Sequence, residues 1–566
     1  MKQLFKSFLL ISILALTSCT EFFNTDPDNI TNAKDYISKD DEMYKGYLGI
    51  LTKMQKAGDQ AIFLTDTRAD YMEVTGNAPV ELQDIYNYRD TKGNSYANPL
   101  CYYAVIIACN DFFSKMREYH IRIGDSMDES SQTDFNSMIS SAIRIKVWAY
   151  YTLGRIYGKA YWFDDPLEDL GNLKDSTIFT PMNNMGAIVN QCVNLLDSGL
   201  VVYKNERIPA NLEMDWASWL DPESANKDTY RHWNYLTPNW LLLRCELLSW
   251  RGLPDDWSWM RDNILQFMYN VQSQDPLADP YYPVPNSMYA CNIPLTGTYY
   301  QQFFTEQLGN KYQMVSGIMY DYKNDQTNRL VEYFCPAYPG KYYLRPSSYA
   351  IHKYIETDIR GITQKICMNI INGDTCFTKN YYFRGSYLKS KIFEIMPTII
   401  LQRGMDFHFL LAEAENHLGN WRQARCILNQ GMTNEFTYAS YMPSDWSSNY
   451  STWWAPNGGY GDIGIVGCVR GANHMLPGKT DPGYNLSETE RIRLYDLALA
   501  DEYLLEYPGE GKAYSYLIKM AERHHEPSIV ADRVVPKYPL AKQAEIRSAI
   551  EAGGYWVDWD LNGDNK

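Results

Sequence analysis

Arg68, Asp70, Asn77, Tyr86 and Tyr88 fall in one loop-like stretch, while Tyr281-Tyr282, Tyr299-Tyr300, Tyr320 and Trp453-Trp454 occupy others rich in Gly, Asn and Pro. Flat aromatic faces pack against the axial C–H side of a pyranose, and guanidinium, amide and carboxylate groups fork onto its hydroxyls. That pairing of residue types points to carbohydrate recognition. A single loop aromatic more often packs under its own loop, but Tyr 47, Trp 15 and Phe 20 make 14% of the chain. Much of the Tyr excess lies outside helical stripes, in segments that also hold Tyr342-Tyr343 and Tyr381-Tyr382. Arg68 and Asp70, two residues apart, suit a second role equally well, an ion pair that fixes their loop.

Other chemistries have weaker support. A helical glycosidase needs two carboxylates across a cleft, yet Glu413, Glu415, Glu502 and Glu506 lie on helical patterns, where solvated or capping roles are expected. There is no HExxH, GxSxG or P-loop, so no enzyme activity is expected. His524-His525 follows a helix near its C-terminus, where imidazolium suits the dipole. The tail Asp558-Trp559-Asp560-Leu561-Asn562-Gly563-Asp564 matches the first half of a calcium loop, with Asp558, Asp560 and Asn562 as oxygen ligands. The bidentate acid of a full EF-hand is missing, so the only cofactor expectation is a partial structural calcium site.

The N-terminus carries its own signal. Lys2 and Lys6 precede a nine-residue apolar run from Phe8 to Leu16, too short to span a bilayer, and Leu16-Thr17-Ser18-Cys19 follows. Residues 1–18 read as a lipoprotein signal peptide and Cys19 as the acylated residue, carrying palmitate-type chains. Two or three such chains anchor stably, because each buried methylene contributes about 0.8 kcal/mol. The net charge of −16 argues against nucleic acid as a partner. Ten further cysteines are irregularly spaced. Cys245 and Cys426 suit small buried hydrophobes, and Cys367 and Cys376 flank the turn signal Asn372-Gly373, which leaves a hairpin-bridging disulfide open.

The elements that must hold these loops are helical. In the stretch from Arg403 to Met432, Phe407, Leu410, Leu411, Ala414 and Leu418 recur at helical spacing. Gly419 can end that helix in the left-handed region, Asn420 is a favourable N-cap, and Trp421, Ala424 and Leu428 form the next buried face. This is a tetratricopeptide-like hairpin, which cannot bury its face alone. Others are predicted: helices over 40–56 and 100–116; one over 134–158 with a partner over 185–202; and a pair cornered at Gly252-Leu253-Pro254. Two more close the chain, over 488–507 and 511–523. The fold class is mainly α: a tetratricopeptide-like scaffold of about four helix pairs, with a large irregular loop-rich ligand-binding subdomain. Residues 19–39 form a lipidated tether and 40–566 one domain, with irregular insertions near 272–397, including β-like runs such as KSKIFEI, and near 437–485.

Several landmarks fall in the order of one family. They are Cys19-Thr20-Glu21-Phe22-Phe23 with Pro27, Thr67-Arg68-Ala69-Asp70, Tyr150-Tyr151 through Arg155-Ile156-Tyr157-Gly158, and Arg403 with Asp406 and Ala412-Glu413-Ala414. Glu502, Glu506 and Glu510-Gly511-Lys512 follow, then Pro536-Lys537-Tyr538-Pro539. On these the chain resembles the SusD/RagB family of surface lipoproteins over nearly its whole length. It departs at Val147-Trp148-Ala149 and at Lys512-Ala513-Tyr514-Ser515, which are scaffold positions. The resemblance implies a cell-surface, outer-membrane lipoprotein that binds an oligosaccharide or polysaccharide and delivers it to a SusC-like TonB-dependent transporter. Peptide binding by the same fold is the alternative, and a helical glycan-degrading enzyme a weaker one.

Overall fold

The structure is a computed structural model that describes residues 37, 39–89, 91–168, 177–203, 206–214, 235–273, 304, 314–381, 392–394, 396–429 and 464–559. Cys19 and the signal peptide, Tyr281, Tyr282, Tyr299, Tyr300, Trp453, Trp454, Asp560 and Asn562 lie outside the described residues.

Among the described residues the frame is formed by the helices α1 (Asp40–Ala57), α2 (Leu100–Ile123), α3 (Glu129–Tyr157), α4 (Met185–Ser198), α5 (Trp240–Arg251), α6 (Pro254–Ser273), α7 (Gly404–His417), α8 (Trp421–Asn429), α9 (Glu488–Glu506) and α10 (Ala513–His524). Consecutive helices pack as pairs, α1 on α2, α3 on α4, α5 on α6 and α7 on α8, with α9 and α10 as a closing pair. Each pair also packs on the next, so one main hydrophobic core runs from Ile37 to Val557, with two small satellite clusters beside it. The expected tetratricopeptide-like scaffold is present.

Local chemistry sets the helix ends. Asp128 accepts the Ser131 amide at 2.7 Å and starts α3 five residues before the expected Asp134, and Gly158 ends it in the left-handed region at φ 67°. Gly252, at φ 68°, and Pro254 make the corner between α5 and α6 as predicted. Gly419 at φ 80° turns α7 into α8, and the side-chain amide of Asn420 reaches back to Glu415 at 2.6 Å. Ala414 and Ala424 are both buried where the two helices meet.

Three expectations need correction. Helix α2 continues past Met116 to Ile123, and α4 stops at Ser198 because the chain turns at Gly199 into a strand rather than continuing to Val202. Within KSKIFEI, Ile392–Glu394 is a 3-10 turn rather than a strand.

The strands are short: β1 (Met72–Val74), β2 (Ala160–Trp162), β3 (Thr180–Met182), β4 (Leu200–Tyr203), β5 (Glu206–Ile208), β6 (Met314–Ile318), β7 (Leu344–Pro346), β8 (Met368–Ile371), β9 (Asp374–Phe377) and β10 (Ile399–Arg403). All pair antiparallel in two-stranded ladders, β1 with β7, β2 with β3, β4 with β5, β6 with β10 and β8 with β9. Asn372 and Gly373, at φ 55° and 89°, form the β8–β9 turn, as an Asn-Gly hairpin requires. Cys376 there faces Asn369 across the ladder, and both Cys367 and Cys376 are free thiols, so no disulfide bridges the hairpin.

The four scaffold-helix glutamates expected to be solvated or capping are neither. Glu413, Glu415, Glu502 and Glu506 are all fully buried. Arg360 binds Glu502 at 2.6 Å, Glu506 at 3.0 Å and Asp358 at 2.8 Å, and Arg403 binds Glu506 at 2.8 Å and Glu510 at 2.9 Å. Lys519 and Arg523 hold Glu413 at 2.9 and 2.7 Å. Asp496 takes His417 and His524, both at 3.0 Å, and Arg523 at 3.2 Å. A line of ion pairs therefore ties α7, α9 and α10 together inside the core. Helical spacing alone cannot separate a buried, paired carboxylate from a solvated one, because both recur on the same period.

Candidate functional site

The aromatic surface of the described residues lies beside the β1–β7 ladder. Tyr333, from the short helix Leu330–Phe334, packs edge-on against Tyr343, with ring centroids 4.8 Å apart, and tilts against Tyr96 at 6.4 Å. The phenol oxygens of Tyr96 and Tyr333 share a hydrogen bond of 2.8 Å. Tyr333 is buried beneath the other two, against Phe63 at 4.5 Å, whereas Tyr96 and Tyr343 are half-buried. The ammonium of Lys341 stands 5.9 Å over the Tyr333 ring and 5.8 Å over Tyr343, and Arg329 lies 6.0 Å over Tyr96.

Several elements fix these rings. The Asp59 carboxylate accepts from the backbone amide and Nε of Arg329 at 2.8 and 3.0 Å. Gln60 accepts from Arg329 at 3.2 Å and donates to the Tyr96 carbonyl, so one network holds Tyr96 against Arg329. Tyr343 is set by its own backbone, which donates to the Tyr333 carbonyl at 2.8 Å and accepts from Thr75 at 2.9 Å. Its neighbour Tyr342, at φ 49° in the left-handed region, is buried instead, its hydroxyl donating to the Thr375 carbonyl at 3.3 Å.

The loop that carries Lys341 presents Tyr338 at 95% exposure. It is closed by bonds of 2.7 Å from the Lys341 amide to Glu332 and from the Gly340 amide to Ala337. Only glycine fits at 340, since a Cβ there would stand 2.2 Å from the Cys335 carbonyl oxygen. Exposed Asn77 joins the rim, donating to the Lys341 carbonyl at 3.3 Å.

The electrostatics are balanced. Lys341 pairs with Glu332 at 2.7 Å, and that hydrogen bond holds its ammonium above the usual lysine range. Burial pushes the Tyr96 and Tyr333 phenols up, so both hydroxyls stay protonated and can donate and accept. The patch offers aromatic faces, phenol hydroxyls, an amide and an ammonium–carboxylate pair.

Among the described residues expected to bind ligand, Asn77 borders this surface. Arg68 is buried; its guanidinium donates to the carbonyls of Gly554 and Trp556, both at 3.0 Å, and lies 4.9 Å over the Tyr88 ring. Asp70 is buried against Lys353, so the two residues fix their loop through separate partners rather than by pairing with each other. Tyr88 donates to the Arg68 carbonyl at 2.8 Å, Tyr86 packs 4.8 Å from Tyr538, and Tyr320 donates to the Gln55 carbonyl at 2.7 Å. Tyr88 and Tyr320 are buried and serve the interior, while Tyr86 is half-buried. Tyr96, Tyr333 and Tyr343 are not among the residues singled out from the sequence; the Tyr342-Tyr343 pair is visible there, but which ring faces outward is set by contacts such as the bond from the Thr75 amide to the Tyr343 carbonyl.

Two carboxyls are raised to about 7, Asp66 and Glu246, in both cases chiefly by burial. Asp66 is fully buried and accepts the Gly509 amide at 2.7 Å. Glu246 lines a small internal cavity of about 30 Å³ with Arg155, Asp406, Lys512, Ser515 and Tyr516, room for about one water and not for a sugar ring. At the C-terminal end, Asp558 already faces Lys159 at 3.2 Å and Lys92 at 3.6 Å. Among the described residues no group of three or more His, Cys, Asp or Glu is placed to hold a metal ion.

The packed helix pairs and short two-stranded ladders define a tetratricopeptide-like helical scaffold. Comparison with known proteins specifies that fold. No family model and no curated protein matches the chain. Solved structures do. A SusD homolog from Bacteroides thetaiotaomicron matches at a TM-score of 0.56 and 12% identity, over 93% of this chain and 95% of that one. A SusD superfamily protein from Bacteroides vulgatus matches at 0.56 and 12%, over 92% and 96%. The surface glycan-binding protein A from Bacteroides fluxus matches at 0.53 and 10%, over 90% and 95%. The chain has the SusD fold over nearly its whole length.

Proposed function

We propose that this protein is a cell-surface SusD-family lipoprotein that binds an oligosaccharide or polysaccharide on the Tyr96–Tyr333–Tyr343 surface. The observation that carries the reading is this partly exposed tyrosine cluster, rimmed by Asn77, Lys341 and Glu332 and held on a fold shared with a surface glycan-binding protein. A pyranose face packs on the rings while its hydroxyls exchange hydrogen bonds with the phenols and the rim.

In this reading the protein is not an enzyme. The scaffold carboxylates are buried in ion pairs. Cys19, acylated after removal of residues 1–18, anchors the protein in the outer membrane, and the ligand passes to a SusC-like TonB-dependent transporter. No helix among the described residues is long and apolar enough to cross a membrane, so attachment rests on the acyl chains.

Titration calorimetry of the purified chain against panels of glycans and peptides tests the proposal. Binding of a glycan that is lost in Tyr96→Ala and Tyr343→Ala is the expected result. Binding of peptides alone, or release of shortened glycan products, would overturn it.

A further inference from the structure

We infer that the ligand of the tyrosine surface is an uncharged glycan, an inference that rests on the glycan-binding reading above. Both cations that stand over its rings are already matched. Arg329 is held by Asp59 through its backbone amide and its guanidinium. Lys341 is held by Glu332 at 2.7 Å. The next cation along the ladder, Arg345, faces Glu73 directly across the β1–β7 register, with a bond of 2.6 Å, and reaches Asp374 at 4.0 Å.

Among the described residues, a uronate or sialate carboxylate brought to these rings meets no cation with an unmatched charge. To gain one it must displace Glu332 or Asp59, and it then lies beside the carboxylate it displaced. Like charges at such separations disfavour binding. The chain's net charge of −16 adds repulsion on approach, although salt screens it beyond about 8 Å. An uncharged sugar needs no displacement. The Lys341–Glu332 pair offers it a donor and an acceptor side by side, the arrangement that a pair of neighbouring hydroxyls requires.

The test is calorimetry on the whole mature chain with two panels, neutral hexose and pentose oligosaccharides and their uronic-acid-containing or sialylated counterparts. Neutral ligands are expected to bind at least about tenfold more tightly, with affinity changing less than about twofold between about 50 and 500 mM NaCl. Glu332→Gln, at a surface position that should not disturb folding, frees the Lys341 charge. It is expected to raise affinity for the acidic panel by at least about threefold at low salt.

An acidic glycan that binds best, and whose binding is lost in Tyr96→Ala and Tyr343→Ala, would overturn the inference and leave the tyrosine surface as the site. Binding of either panel that survives both tyrosine variants, with folding checked by circular dichroism, would overturn the site itself. An acidic panel unmoved by Glu332→Gln would show that Glu332 does not govern charge selection.

Discussion

The phenol oxygens of Tyr96 and Tyr333 meet at 2.8 Å although the residues are 237 positions apart in the chain. Tyr333 is buried, so it acts as a floor that fixes the angle of Tyr96, while Tyr343 closes the other side. Replacing Tyr343 with Ala should weaken glycan binding by about 1 kcal/mol or more, at least about fivefold, because an aromatic contact contributes about 0.5–1.5 kcal/mol beyond its buried area. Calorimetry on the folded variant reads this directly. Tyr320→Phe, which removes only a hydroxyl bonded to the Gln55 carbonyl, is expected to leave affinity unchanged.

Gly340 controls the same surface through the backbone. A methyl group at 340 would collide with the Cys335 and Ala337 carbonyls, at 2.2 and 2.7 Å. The turn must open, carrying Tyr338 and Lys341 with it. Gly340→Ala should therefore lower glycan affinity severalfold while shifting the unfolding midpoint little, because the loop lies outside the helical core. Loss of binding that matched a general loss of fold would contradict this.

The buried ion pairs predict a stability effect. Glu506 bridges Arg360 and Arg403 at 3.0 and 2.8 Å, and all three are fully buried. Glu506→Gln leaves two guanidinium groups short of a partner. Breaking a buried pair costs about 3–5 kcal/mol, and the lower end applies because Arg360 keeps Asp358 and Glu502 and Arg403 keeps Glu510. Urea unfolding should show the loss as a lower midpoint, and an unchanged midpoint would mean that the network contributes no net stability.

Stability should also depend on pH with two opposing signs. Burial opposes ionisation of Glu413, Glu502, Glu510 and Asp496, but the facing cations outweigh it and hold all four below the usual range. Their contribution is complete above about pH 4.5 and is lost as pH falls. Glu246 behaves in the opposite sense. Burial, aided by Asp406 and countered by Lys512, Arg155 and Lys519, raises it to about 7 from 4.5. The folded state then binds more protons than the unfolded chain across that interval, so stability declines as pH rises through it. Glu246→Gln should flatten the decline measured by urea unfolding between about pH 5 and pH 8, and an identical slope in the variant would assign the decline elsewhere. Asp66, raised by burial to about 7, and Asp111, raised by burial to about 6, contribute in the same sense.

The landmarks that carry the family resemblance have a physical explanation. Lys537 of the Pro536-Lys537-Tyr538-Pro539 run donates to the Thr67 and Met72 carbonyls at 2.8 and 3.1 Å, and Arg68 donates to Gly554 and Trp556. Arg403 and Asp406 meet Glu506, Glu510 and Lys512 in the same way. These motifs recognise each other. Arg68 and Asp70 read from sequence as plausible ligand contacts because charged residues near loops usually reach water, and here they latch distant segments instead.

The sequence by itself determined the helical frame. Amphipathic periods, Gly at helix ends, Pro at a first turn and the Asn-Gly hairpin are local signals, and each acts within a few residues of where it is written. Tertiary structure decided burial and facing. Whether Glu502 meets solvent or Arg360, and whether Tyr342 or Tyr343 points outward, depends on partners brought from more than a hundred residues away or on the register of β1 with β7. A charge's cost and a ring's exposure are properties of its surroundings, and no local pattern encodes them.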